Sequence, residues 1–178
     1  MNRYEELQGY LKTLGSACVC FSGGEDSAFL LKCCADALGK SAAAVTVDAP
    51  WVPRQALAQA VQTAHALGVK HVVLHMEPSG LPEDAWDGKG FAGKRALYAC
   101  ICTYAQQNGY AAVLDGTTLD DTRTFCPGCR AAARLGVFSP LEDLTAGDIR
   151  AMARMIGMGS RMQTDGAQKE ARRLAGVR

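Results

Sequence analysis

The sequence predicts a three-layer α/β/α sandwich around a parallel sheet of about five strands. Three observations carry this reading. Short apolar strands alternate with helical stretches along most of the chain. The helical stretches are long enough to serve as crossovers, which parallel strands need and antiparallel strands do not. Ser22, Asp48, His75 and Asp115 each stand just past a strand end, where a sheet of this kind gathers its ligand-binding rim.

The elements follow in order. Tyr4, Leu7, Tyr10, Leu11 and Leu14 recur at helical spacing and predict an opening helix. Ala17–Phe21 is a buried strand, and a helix runs from Ser27 to about Leu38. Ala42–Val47 is a second strand ending at Asp48, and Arg54–Leu67 is an alanine-rich helix closed by Gly68. Lys70–His75 is a third strand. Met76–Gly93 loses periodicity and collects Pro, Gly and Asp, which predicts a loop over the sheet edge. Lys94–Asn108 is helical and ends at Gly109; Ala111–Leu114 is a short buried strand ending in Asp115-Gly116. A loop to Arg130, a short helix to Leu135 and a fifth strand at Val137–Pro140 come next. Thr145–Ile156 closes the series as a helix with Thr145 at the N-cap and Asp148 at N3. Residues 1–157 form one domain and residues 158–178 a short tail.

Bulk properties narrow the function classes. A chain of 178 residues with net charge +1 does not present a general nucleic-acid-binding surface. No apolar run reaches the length of a membrane span, and Met1–Glu6 lacks the apolar core of a signal peptide, so the expected compartment is cytoplasmic. In a reducing compartment the eight cysteines are expected as thiols, metal ligands or catalytic groups.

The densest chemistry lies at Ser22-Gly23-Gly24-Glu25-Asp26-Ser27. Two glycines between a buried strand and an apolar helix let the backbone turn tightly and bring N–H groups to an anion. The helix adds its positive dipole end, Ser22 and Ser27 add hydroxyl donors, and Asp26 is placed to meet a magnesium ion or an attacking group. The spacing is neither the Walker loop nor the three-glycine dinucleotide fingerprint. A strand-to-helix turn of this kind also occurs in α/β proteins without binding anything.

The stretch resembles the PP-loop, S-G-G-x-D-S, of the ATP pyrophosphatase superfamily, and Cys20–Ser27 is similar to the version in LarE-type ATP-dependent sacrificial sulfur transferases. Val45-Thr46-Val47-Asp48-Ala49-Pro50 with Pro53-Arg54 resembles that family's T-x-D-S-P and P-R. Gly109–Asp121 resembles its G-Y-x-x-V-x-D-G-T-N-x-D-D signature, and Pro127-Gly128, Leu135-Gly136-Val137 and Ser139-Pro140-Leu141 extend the likeness. The resemblance implies a Rossmann-like fold of the adenine nucleotide alpha hydrolase kind. It also implies adenylation of a carboxylate acceptor with release of pyrophosphate, then sulfur transfer in cofactor biosynthesis. Carried over, Ser22, Gly23, Gly24, Asp26 and Ser27 hold the ATP pyrophosphate. Asp26 with Asp120 or Asp121 supplies oxygens to Mg2+. Thr46 and Asp48 lie near the adenosine, and Lys94 neutralises charge in the transition state. Asp115 and Gly116 border the nucleotide, Asp115 either touching it or accepting loop amides. The implied partners are a small-molecule acceptor and a sulfur donor protein, with a homo-oligomer left open.

The departures concern sulfur. The family's C-Y-x-C-K pair becomes Lys89-Gly90-Phe91-Ala92-Gly93-Lys94, with glycines for both cysteines. Its sulfur-donating cysteine, in an A-C-L-A-S-R segment, has no counterpart in Gly157-Met158-Gly159-Ser160-Arg161, and no cysteine follows Cys129. Only a short basic helix, Gln168–Leu174, stands where the family carries an oligomerisation segment. Cys126 and Cys129 are then the expected catalytic thiols. With two residues between them, they can clasp a metal such as zinc or an iron–sulfur cluster, form a redox pair, or merely share a turn. Cys18, Cys20, Cys33, Cys34, Cys100 and Cys102 read as buried packing residues. Two other functions stay open: amide formation with ammonia as nucleophile, and a nucleotide-binding module without catalysis.

Overall fold

A computed structural model of the chain describes residues 2–77, 79, 81, 90–124 and 126–158. Its elements are α1 (Arg3–Thr13), β1 (Ala17–Cys20), α2 (Glu25–Leu38), β2 (Ala42–Asp48), α3 (Arg54–Ala66), β3 (Lys70–His75), α4 (Phe91–Gln107), β4 (Ala112–Leu114), α5 (Leu119–Thr122), α6 (Pro127–Arg134) and α7 (Ala146–Met155). The strands form one parallel sheet in the order β3-β2-β1-β4.

Local chemistry sets the boundaries. In α1 the Asn2 side chain accepts the Glu5 amide at 2.9 Å, while the Glu5 carboxylate accepts the Asn2 amide at 3.0 Å. The same reciprocal box closes Thr118 on Asp121 at α5 and Thr145 on Asp148 at α7, the latter as the sequence predicts. Pro127 opens α6 at a position whose N–H would have no helical partner.

Alternation divides the core into two layers. Ala17 and Val19 of β1, with Ala42 and Ala44 of β2, face the layer that holds Phe29, Leu30, Ala60 and Ala64. Cys18, Ala43 and Val45 face Ile101, Ala105 and Ala132 on the other side. The chirality of crossovers accounts for the division. The steps β1 to β2 and β2 to β3 run in one direction and put α2 and α3 on one face; the return to β4 runs the other way and puts α4 opposite. The order therefore reverses between β1 and β4, and the carboxyl ends of those two strands flank the crevice where sheets of this kind bind ligands.

Four differences from the sequence reading have local causes. The expected fifth strand is a single bridge, Leu114 to Phe138, because the chain turns at Ser139-Pro140 after one ladder contact. The helix expected at Lys94 starts at Phe91, with Gly90 as its N-cap, and α2 starts at Glu25 rather than Ser27. The loop expected up to Arg130 contains α5 and the first turn of α6. The expected loop at 76–93 and the tail at 158–178 lie mostly outside the described residues. Among the described residues no helix is long and apolar enough to cross a membrane.

Candidate functional site

A cavity of about 660 Å³ opens at the carboxyl ends of the strands, within the size range of small-molecule sites. The β1–α2 turn forms one wall, the β2 end and the start of α3 another, and Lys94, Tyr98, Asp115 and Gly116 the far side.

The turn has no spare room. Gly23 has φ +78°, and a β-carbon there would stand 2.9 Å from the Ala60 backbone nitrogen and Cα of α3. Gly24 is the N-cap of α2 and gives its first turn no side-chain oxygen. A helix start so exposed to a cavity is suited to an anion. The Ser22 and Ser27 hydroxyls lie 3.1 Å apart, Ser27 Oγ donates to the Gly24 carbonyl at 3.0 Å, and Ser22 Oγ accepts the Gly24 amide at 3.3 Å. Asp26 and Ser27 line the cavity.

Asp115 is buried at the end of β4, and four donors occupy its two oxygens. Ser139 Oγ (2.7 Å) and the Thr117 amide (3.2 Å) reach Oδ1; Tyr98 Oη (2.8 Å) and Thr117 Oγ1 (3.0 Å) reach Oδ2. This is the loop-bracing arrangement that the sequence reading set beside direct contact. Burial, then the charge of Asp115, raises the Tyr98 phenol far above its ordinary value, so it stays a donor.

The structure brings Ser22, Gly23, Gly24, Asp26, Ser27, Thr46, Lys94, Asp115, Gly116 and Asp121 to one cavity, and leaves Asp48 and Asp120 out of its lining. Asp48 closes β2 in an ion pair with Arg54 (2.6 Å), and its other oxygen, Oδ2, lies 3.0 Å from His75 Nδ1. The Arg54 guanidinium holds the Asp48 carboxyl below its usual range. The carboxylate thereby braces the start of α3. Asp120 accepts the Ala146 amide at 2.8 Å and so ties α5 to α7. Asp121 lines the cavity, but one of its oxygens, Oδ2, is already in the Thr118 capping box.

Cys126 and Cys129 depart from the metal reading. They form a disulfide, with Cα atoms 5.4 Å apart, so their sulfurs are bonded to each other and offer no thiolate to zinc or an iron–sulfur cluster. No group of three or more His, Cys, Asp or Glu side chains converges on a metal position among the described residues. The pair opens α6, and a β-carbon at Gly128 would lie 3.9 Å from the stem of Lys94. Cys20 lines the cavity, and its thiol is pushed well up by burial and then by Asp115, so it stays protonated. Burial likewise pushes Cys18 and Cys34 up to about 12, and Cys33, Cys100 and Cys102 upward.

Sequence reasoning missed three groups: Tyr98, Ala60 and His71. Tyr98 looks like any aromatic of a packed helix, and Ala60 like any small residue of an alanine-rich one. His71 looks like any polar residue near the start of a strand, and only the β2–β3 register places it beside Thr46.

No protein-family model matches the chain. The pyridinium-3,5-bisthiocarboxylic acid mononucleotide synthase of Lactiplantibacillus plantarum is 32% identical over 158 residues, spanning 85% of this chain and 57% of that protein. Over these residues the chain resembles that synthase, in keeping with the LarE-like motifs of its sequence. An uncharacterised Synechocystis protein, slr1717, is 28% identical over 161 residues, which are 88% of this chain and 60% of that one. The chain thus spans somewhat under two thirds of the length of the curated relatives it matches. Among solved structures, the NH3-dependent NAD synthetase of Campylobacter jejuni superposes with TM-score 0.71 at 14% identity, covering 92% of this chain and 76% of its own. The NMN synthetase of Francisella tularensis gives 0.63 at 16%, covering 91% and 74%. At such identities the likeness is one of fold: a Rossmann-like α/β arrangement around a parallel sheet.

Proposed function

We propose that this PP-loop protein uses ATP to adenylate a small-molecule acceptor, releases pyrophosphate, and passes sulfur to the activated acceptor. The observation that carries the reading is the β1–α2 turn, Ser22–Ser27, built into the cavity at the sheet's switch point.

Backbone amides at the start of α2, with the Ser22 and Ser27 hydroxyls, would receive the pyrophosphate portion of ATP. Thr46, at the β2 wall, would border the adenosine. Lys94 would neutralise charge that builds on the phosphates as the acceptor oxygen attacks the α-phosphorus and the bond to the β-phosphate oxygen breaks. Asp115 would brace the β4 wall through Tyr98, Thr117 and Ser139 rather than touch the nucleotide.

The carboxylates of Asp26 and Asp121 both line the cavity and are hard oxygen donors of the kind magnesium takes, together with phosphate oxygens and water. Bound there, Mg2+ would supply electrostatic relief to the phosphates. Asp26 is then the residue through which the turn serves metal and nucleotide together.

Sulfur transfer rests on the LarE-like relative, and Cys126 and Cys129 are the pair assigned to it. Once a thiol donor has reduced their disulfide, one thiolate would displace AMP from the acyl adenylate to form a thioester. Elimination across that cysteine's Cα–Cβ bond would then break Cβ–S, leaving the sulfur on the acceptor and dehydroalanine in the chain. An assay of pyrophosphate release across carboxylate acceptors, with sulfide or ammonia supplied separately, tests the proposal. Release coupled to a thiolated product supports it. Coupling to an amide transfers the chemistry to an ammonia-using synthetase, and ATP binding without release under any acceptor leaves a nucleotide-binding module.

A further inference from the structure

We propose that His71 is a positioning residue for the phosphate-binding turn, acting through the Thr46 hydroxyl on the carbonyl of Phe21, the residue just before Ser22. The proposal rests on the reading that this turn holds ATP phosphates.

The geometry leaves one proton arrangement. Thr46 Oγ1 lies 2.7 Å from the Phe21 carbonyl oxygen and 2.8 Å from His71 Nε2. A carbonyl only accepts, so the single hydroxyl proton is committed to Phe21. The hydroxyl can then meet His71 only as acceptor, and Nε2 must carry the ring proton. The imidazole is in its Nε2–H tautomer, and the chain of donors runs His71, Thr46, Phe21.

Phe21 is thereby held at three points. Its amide donates to the Val45 carbonyl at 2.9 Å, its carbonyl takes the Thr46 proton, and its ring meets the His71 ring edge-to-face at 5.9 Å and 89°. The next two residues are Ser22 and Gly23, and Gly23 has no slack against Ala60. A small displacement of the Phe21 carbonyl therefore passes into the turn's amides rather than being absorbed. His71 reaches this position from β3, two strands away from the turn in the sheet order, because its register partner is Ala44 and Thr46 is the next side chain on that face.

The test compares His71→Leu, which keeps bulk and removes the donor, with His71→Gln, which restores an N–H. Magnesium ATP binding by calorimetry should weaken about five- to tenfold in His71→Leu, the fold-change of one hydrogen bond, and largely recover in His71→Gln. Thr46→Val should be non-additive with His71→Leu, since both cut one relay. Binding by His71→Leu equal to the unaltered protein, or no recovery in a folded His71→Gln, overturns the proposal. If the variants fail to fold, 15N spectra of the unaltered protein decide: an Nδ1–H tautomer overturns it and Nε2–H supports it. If the unaltered protein binds no ATP, the functional reading fails instead. Gly23 and Gly24 amide shifts in His71→Leu then judge the positioning, an unmoved pair overturning it.

Discussion

Gly116 stands against Ser27: a β-carbon at Gly116 would lie 3.0 Å from the Ser27 amide nitrogen and 3.2 Å from its Cα. The loop after β4 and the start of α2 therefore touch backbone to backbone across the switch point. Gly116→Ala should push the two apart and weaken ATP binding about tenfold or more, with a smaller loss of stability. Calorimetric titration with magnesium ATP, beside a urea melt, checks both halves.

Gly23→Ala meets two penalties together, a left-handed φ of +78° and a contact of 2.9 Å with the Ala60 backbone. Conformation costs about 1–2 kcal/mol and overlap about 1–3 kcal/mol. A loss of roughly 2–5 kcal/mol in denaturant unfolding is expected.

Tyr98→Phe removes one of the four donors that hold Asp115. Hydrogen bonds to a charged group contribute about 1.5–3 kcal/mol, so stability should fall by that order. Asp115→Ala should cost more, because it leaves Tyr98, Thr117 and Ser139 unpaired together. Unfolding midpoints of the two variants give the comparison.

Acid stability should fall in two stages. Burial lowers the His71 pKa below its ordinary 6.5. The unfolded chain then binds the proton more readily, so stability is fully present above pH 6.5 and is lost as the pH falls toward the depressed folded value. The Asp48 and Asp148 carboxyls are also lowered, from 3.8, by Arg54 and by Thr145 respectively. Their stabilisation is present above pH 3.8 and disappears as the pH drops through their folded values. Urea midpoints from pH 8 to pH 3 should show both limbs, with the first missing in His71→Gln and the second reduced in Arg54→Ala.

Lys94→Ala should lower the rate of pyrophosphate formation by about a hundredfold and weaken ATP binding far less, since its charge acts on the bond being broken. Single-turnover kinetics separate the two. In the same assay, serine at both Cys126 and Cys129 should abolish thiolated product while pyrophosphate release persists. Undiminished thiolation would remove the pair from the mechanism.

Much of the fold was legible because its signals are local. The apolar run Ala17–Phe21, the glycines of the turn and the Thr145/Asp148 cap each act within a few residues, so reading them needs no partner. The position of the turn, Ser22–Ser27, between β1 and α2 at the carboxyl end of the sheet was equally legible. Asp48 and Asp120 were harder. The sequence alone does not show that Asp48 meets Arg54 or that Asp120 meets the Ala146 amide, because those partners come from other elements.

By itself, then, the sequence determined the alternation of strands and helices, the glycine turn at Ser22–Ser27 and its likeness to the PP-loop. Only the tertiary structure decided the strand order, which puts β4 beside β1, the contact of Gly116 with Ser27, the four-donor hold on Asp115 and the His71–Thr46–Phe21 relay. The reason is physical. Turns, caps and periodicity arise from forces between near neighbours in the chain. A buried hydrogen bond between residues 25 apart, as between Thr46 and Phe21, exists only once packing has excluded water and set the register.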